Sequence, residues 1–320
     1  MDQKLLSVRN LRKYFQTERR LFFKSTENLK AVNDISFDLD HGKTMGLVGE
    51  SGSGKTTTGR MILRLIEPTS GEVTFDGVDV LRISASKLRE LRKKMQIVFQ
   101  DPYSSLNPRM TVGSILAEPF MIHKIGSKKD RLDRVTELLN KVKLPVDSMK
   151  RYPHQFSGGQ RQRIGIARAI ALNPEFIVCD EPVSALDLSI QAQIVNLFID
   201  LKKSNNISYL FISHDLSIVE RTSDQVAVMY LGKIVEIGDL QTIYQNPLHP
   251  YTEALLSATL AIDPATNKKR IKLKGEAPSP VNVPDGCPFH PRCFIATKDC
   301  ARIIPTLEEK DNRQVACIIR

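Results

Sequence analysis

No apolar run in this 320-residue sequence approaches the roughly 18 residues that a membrane-spanning helix requires, so if the chain works at a membrane, other chains must cross it. The N-terminal stretch MDQKLLSVRN carries charges where a secretory signal needs an uninterrupted apolar core, so nothing in it directs export and the expected compartment is the reducing cytosol. Internal repeats and low-complexity tracts are also missing. Cysteine is scarce, five residues in all, and disulfides are a poor reading in a reducing compartment. Their placement is uneven: Cys287, Cys293, Cys300 and Cys317 fall in the last 34 residues, where even scatter would put roughly half of one.

The composition, 41% hydrophobic and 26% charged, is that of a soluble globular protein, long enough for one main domain with an appendage. The net charge of +10 suits either nucleic acid or an anionic membrane leaflet. Short runs rich in branched residues at 44–48 (TMGLV), 95–99 (MQIVF), 175–179 (EFIVC), 207–212 (ISYLFI) and 225–230 (QVAVMY) read as strands buried on both faces. Several alternate with helical patterns, which predicts an α/β fold with a mainly parallel sheet. Between 110 and 170, Leu132, Val135, Leu139 and Val142 recur at helical spacing with no strand-like run, which predicts a helical insertion. YLGKIVEIG near 231–238 predicts a hairpin around Gly232. From about 260 the chain turns loop-like and proline-rich, a boundary to a small C-terminal region.

Gly49-Glu50-Ser51-Gly52-Ser53-Gly54-Lys55-Thr56 follows a strand and opens a helix, the context that the phosphate-loop pattern requires. The glycines let backbone N–H groups turn inward around phosphates, and the helix N-terminus adds about half a positive charge. Lys55 reaches the β- and γ-phosphates, and the Thr56 hydroxyl ligates Mg²⁺. The strand Phe176-Ile177-Val178-Cys179 ends in Asp180 and Glu181, where open α/β sheets bind ligands. Asp180 suits Mg²⁺ and Glu181 suits a general base polarising water for in-line attack on phosphorus. Cys179 reads as a small buried hydrophobe.

Phe156-Ser157-Gly158-Gly159-Gln160, opening the helical run RQRIGIARAIAL, resembles the signature motif of ATP-binding-cassette (ABC) proteins. Its hydroxyl and glycine amides at a helix N-terminus suit a second anion. The resemblance implies a phosphate-loop cassette with an N-terminal antiparallel β part, a helical subdomain over about 107–170, an ATPase domain over 1–260 and an extension over 261–320. It also implies a head-to-tail dimer that sandwiches two ATP molecules. Gln100 matches the glutamine that senses the γ-phosphate and Mg²⁺, Asp187 in SALD the loop that spans the dimer interface, and His214 the switch histidine on the γ-phosphate. Thr57 joins Gly49, Ser51–Thr56, Ser157–Gln160 and Asp187 as an ATP contact. Either Phe15 or its neighbour Tyr14 lies where the family stacks an aromatic on adenine; a core aromatic on the first strand is the rival reading.

QDPYSSLNPRMTV, RYPHQFSGGQRQRIGIARAI, DEPVSALDLSIQAQIVNL and NPLHPYTEALLSA together resemble the second ATPase subunit of bacterial oligopeptide and dipeptide importers, a subfamily that includes nickel importers. The implied partners are two membrane-spanning subunits, a second ATPase and an extracytoplasmic binding protein, with this chain at the cytoplasmic face of the membrane and segment 101–125 near the membrane subunits' coupling helices. A soluble ABC protein acting on nucleic acid is the other class; the single phosphate loop and the short stretch from Gln100 to Ser157 argue against it. The tail cysteines are separated by five, six and sixteen residues, looser than ferredoxin or zinc-ribbon repeats, and four thiolates can hold a [4Fe–4S] cluster or a zinc ion. GEAPSPVNVPDGCPFHPRCFIATKDC resembles the family's C-terminal extension, which implies iron–sulfur, with His290 a reserve ligand; an iron-responsive regulator is a third reading.

Overall fold

The computed structural model describes residues 4–17, 27–258 and 270–320. They divide into two compact units: the chain up to Ile83 together with Ser213–Arg320, and Ser84–Ile212.

In the first unit, a four-stranded antiparallel sheet runs in the order Glu27–Leu39, Leu6–Thr17, Ser70–Phe75, Val78–Asp79. Leu6, Val8, Val73, Phe75, Phe37 and Leu39 are buried, the one-face alternation of a half-covered sheet. Thr44–Val48, buried at every residue, lies parallel to Gln225–Tyr230. That strand turns back into Lys233–Asp239 through Leu231 and Gly232, both at positive φ, the conformation that matches hairpin twist in a two-residue turn. The hairpin expected around Gly232 is there.

The tail is not all loop. Glu308–Lys310 and Arg313–Val315 pair with each other and continue the hairpin's sheet, with Glu236 opposite Val315. Three-residue polar strands carry no periodicity, so sequence reasoning missed them. Arg313 and Glu236 fasten this edge: their side chains are 3% and 0% exposed and 3.4 Å apart. Arg313 also donates to the Thr242 carbonyl, and Glu236 accepts from the Leu248 and His249 N–H groups. A second junction is aromatic, with Tyr230, Tyr251 and Phe289 in mutual contact at centroid distances of 4.7–5.3 Å.

In the second unit, Met95–Val98, Phe176–Asp180 and the strand beginning at Ser208 are parallel neighbours. The expected helical stretch contains Val112–Ile122, Lys128–Lys141 and Gly158–Ile170, and Leu188–Asn205 follows the central strand. Ser127 and Asp130 close a capping box on the second of these helices. Its apolar stripe is Val135, Leu138 and Leu139, with Val142 buried at its end, whereas Leu132 is 54% exposed. Among the described residues no helix is long and apolar enough to cross a membrane.

Glu236→Ala leaves the Arg313 charge buried and two N–H groups without their acceptor; it is expected to lower stability by about 3–5 kcal/mol, read from denaturant unfolding of the full chain. An unchanged unfolding midpoint would contradict that role.

Candidate functional site

The loop Gly49–Gly54 leaves the buried strand Thr44–Val48 and enters the helix Lys55–Ile62. Gly49 (φ 151°) and Gly54 (φ 105°) hold its ends in conformations open to glycine. A Cβ at Gly49 would lie 2.2 Å from the Met229 carbonyl oxygen, and one at Gly54 2.2 Å from that of Ala31. The loop is therefore pressed between two strands.

Within the loop the Ser53 N–H donates to the Glu50 carbonyl at 3.2 Å. Lys55 Nζ donates to the carbonyls of Gly49 (2.7 Å) and Glu50 (3.0 Å). The Ser53 carbonyl accepts from the Gly232 N–H, and the Gly54 carbonyl from both the N–H and the hydroxyl of Thr58. Lys55 is only 4% exposed, so its ammonium sits inside the loop rather than waving above it. Ser51 and Gly52 are exposed, and Thr56 and Thr57 half-buried. The result is an anion-shaped cradle at a helix N-terminus.

Phe15 and Tyr14 part company on the strand Leu6–Thr17. Tyr14 donates its hydroxyl to Asn33 Oδ1 at 2.7 Å. Phe15 is 39% exposed with Lys13 Nζ 4.9 Å from its ring centroid. It pairs with Leu29, two residues from the Ala31 carbonyl that abuts the loop.

In the second unit, Gln100 and Glu181 lie just beyond the ends of paired parallel strands, and Gln100 Nε2 donates to Glu181 Oε2 at 2.8 Å. Glu181 has φ 47°, a left-handed conformation uncommon outside glycine and typical of functional positions. Asp180 is buried, and so is Cys179, whose thiol burial and then Asp180 hold well above the usual range. Cys179 is the inert core residue its strand position predicts.

Ser157 caps the helix Gly158–Ile170: its hydroxyl accepts from the Gln160 N–H while Gln160 Oε1 accepts from the Ser157 N–H. A Cβ at Gly159 would lie 2.4 Å from Ile190 Cγ2, so the motif lies directly against the helix that begins after Asp187. Ser157 and Gly158 are exposed, while Phe156 is buried beneath the Arg151 guanidinium. His214, also exposed, follows Ser208–Ser213 and precedes the helix Leu216–Thr222.

Cys287, Cys293, Cys300 and Cys317 line one small cavity with His249 and His290. Burial and then the neighbouring thiols push the Cys287 thiol up to about 11, despite the Phe289 N–H. Cys300 Sγ is 3.5 Å from the N–H and from the hydroxyl of Thr297, the kind of contact that stabilises a ligating sulfur. His290 Nδ1 faces the Cys287 carbonyl at 2.9 Å; a carbonyl only accepts, which leaves Nε2 as the potential ligand. Among the described residues no three His, Cys, Asp or Glu side chains are gathered as a metal site, so neither the iron–sulfur cluster nor the zinc ion expected from the sequence has a ready-made site.

Sequence reasoning missed the tail's grip on the loop. Glu50 is held from outside: its N–H donates to the Tyr251 hydroxyl at 2.9 Å, and both carboxylate oxygens accept from Arg292 at 2.8 and 3.0 Å. The pair is separated by 242 residues, and no local pattern in the sequence links them.

The family model described as ABC transporter matches residues 32–184, and one described as oligopeptide/dipeptide transporter, C-terminal region, matches 235–300. A putative peptide import ATP-binding protein of Brucella ovis is 53% identical over 98% of this chain and 97% of its own length. The oligopeptide transport ATP-binding protein AppF of Bacillus subtilis is 51% identical (99% and 97%), and the dipeptide transport ATP-binding protein DppF of Haemophilus influenzae 50% (98% and 96%). Among solved structures, a dimeric ATP-binding cassette in a post-hydrolysis state with ADP and phosphate superposes with TM-score 0.66 at 27% identity, covering 73% of this chain and 98% of that one.

Gly54→Ala combines a collision with the Ala31 carbonyl and a left-handed φ that alone costs about 1–2 kcal/mol. A lower thermal midpoint and weakened binding of a fluorescent ATP analogue are expected; wild-type values for both would mean that the loop is not constrained as described.

Proposed function

The chain belongs to the ABC transporter ATPases that carry the oligopeptide/dipeptide transporter C-terminal region, and on that premise we propose that it binds and hydrolyses Mg-ATP to energise a membrane importer of oligopeptides or dipeptides. The observation that carries the ATPase reading is the cradle of Gly49–Thr56 around a buried Lys55. The full-length relatives named for peptide transport support the cargo.

In this reading Gly49, Ser51–Gly54, Thr56 and Thr57 surround the phosphates with amides and hydroxyls, and Lys55 supplies the positive charge. Phe15, partly exposed with Lys13 over its ring, stacks on adenine, while the Tyr14 hydroxyl is occupied by Asn33. Thr56, Asp180 and Gln100 are the proposed Mg²⁺ residues by motif position; the ion supplies charge neutralisation between the β- and γ-phosphates. Glu181 accepts the proton of the attacking water, and the Gln100 amide holds its carboxylate in one orientation. His214 donates to the γ-phosphate. Ser157, Gly158, Gly159 and Gln160, with Asp187 beside them, face the nucleotide of a second ATPase subunit, and the capping box fixes the amides at that helix start.

Permease subunits of the membrane are the partners such an ATPase requires; an extracytoplasmic peptide-binding protein, a paralogous second ATPase and a location on the cytoplasmic face complete the proposal. Tyr103, Met121 and Ile122 are exposed apolar side chains on segment 101–125, which suits docking to coupling helices of the permeases. Residues 1–260 form the ATPase domain, with 107–170 its helical subdomain, and 261–320 the extension. There Cys287, Cys293, Cys300 and Cys317 are proposed to hold a [4Fe–4S] cluster, supported by their shared cavity and the Thr297 contacts to Cys300. Such a group would staple a segment too small to build its own core.

Glu181→Gln is expected to bind ATP like the wild type and to hydrolyse it at least roughly 10²-fold more slowly; unchanged turnover removes Glu181 as the base. Anaerobically purified protein is expected to contain iron and to absorb at about 400 nm, and Cys300→Ser to lose both. Iron-free wild-type protein would refute the cluster.

A further inference from the structure

Arg292 is the tail residue that reaches the phosphate loop. Its guanidinium makes a two-pronged contact with the Glu50 carboxylate, at 2.8 and 3.0 Å. The Arg292 side chain is 8% exposed and that of Glu50 32%, so the pair is largely withdrawn from water, where such contacts are stronger and geometrically more specific. The tail holds Arg292 in place from both sides. Phe289, three residues before it, accepts the Arg292 N–H at its carbonyl and packs its ring on Tyr230 and Tyr251. Cys293, one residue after it, lines the cysteine cavity.

Glu50 in turn carries the carbonyl that accepts Lys55 Nζ. Its own N–H is taken by the Tyr251 hydroxyl, so the Gly49–Glu50 peptide is tied to a residue outside the loop while the Glu50–Ser51 peptide is tied to Lys55 and the Ser53 N–H within it. A chain of hydrogen bonds therefore runs from the tail through Arg292 and Glu50 to Lys55.

We propose that Arg292 is a positioning residue for nucleotide binding: held by the cysteine-lined tail, it fixes Glu50 from outside the phosphate loop and so sets the placement of Lys55. The proposal rests on the reading of Gly49–Thr56 as the ATP site and adds that the order of the tail tunes it. Neither Arg292 nor Glu50 touches nucleotide in this scheme. Their loss weakens binding through the loop's geometry rather than by removing a ligand contact.

The test is titration of the full-length chain with a fluorescent ATP analogue, together with hydrogen exchange of the loop amides. Arg292→Ala and Glu50→Gln are each expected to weaken binding about tenfold and to speed exchange at Gly49–Lys55. The double variant should be no worse than either single one, since both remove the same contact. Arg292→Lys, which keeps the charge but not the fork, should recover part of the loss. Glu50→Gln breaks the contact without touching the tail, so it remains decisive if Arg292→Ala unfolds that segment. Lys55→Ala is the control for the underlying site: if it binds like the wild type, the ATP-site reading itself fails. If Lys55→Ala abolishes binding while Glu50→Gln keeps wild-type affinity and exchange, the positioning role is overturned. Losses that simply add in the double variant overturn it as well.

Discussion

A short glycine-rich loop keeps one shape only if its carbonyls have fixed partners and its ends cannot relax, and in Gly49–Thr56 the carbonyls of Gly49, Glu50, Ser53 and Gly54 all accept hydrogen bonds. Met229 and Ala31 crowd the two glycine ends with their carbonyl oxygens. Gly232, at the hairpin turn, takes up the Ser53 carbonyl, and Lys55 takes up those of Gly49 and Glu50. The buried parallel strands and the hairpin matter to function because they supply these backbone partners at fixed positions. Tyr251 on the helix Pro250–Ala258 and Arg292 from the tail hold Glu50 from outside.

The second unit solves a related problem with side chains. Parallel pairing of Met95–Val98 with Phe176–Asp180 brings their ends level, so that Gln100 and Glu181, 81 residues apart, meet at hydrogen-bond distance. Glu181 leaves the strand in a left-handed conformation whose N–H donates to Ile212 and whose carbonyl accepts from Ser184. Those backbone contacts hold a conformation that isolated glutamate disfavours. The Ser157–Gln160 box likewise turns a flexible glycine-rich stretch into a defined helix start.

Much of this was legible beforehand for a definite reason. Fully buried parallel strands need uninterrupted branched apolar runs, and those runs stand at 44–48, 95–99, 175–179, 207–212 and 225–230 to within a residue of the observed strands. The hairpin was marked by its glycine. Where burial is partial or elements are very short, the signal disappears: Leu132 had the right spacing yet is exposed, and Arg313–Val315 is held by a buried Arg313–Glu236 pair rather than by an apolar pattern.

By itself the sequence determined which residues make up the candidate site, because the glycine-rich loop, the strand-end acids and the serine-glycine helix start are local motifs whose residue types and spacing are set by local backbone geometry. Tertiary structure alone decided which carbonyls Lys55 meets, which of two adjacent aromatics is the more exposed, that four widely spaced cysteines share a cavity, and that Arg292 closes on Glu50. Each of those depends on contacts between residues far apart in the chain, where long-range packing rather than spacing fixes the partner.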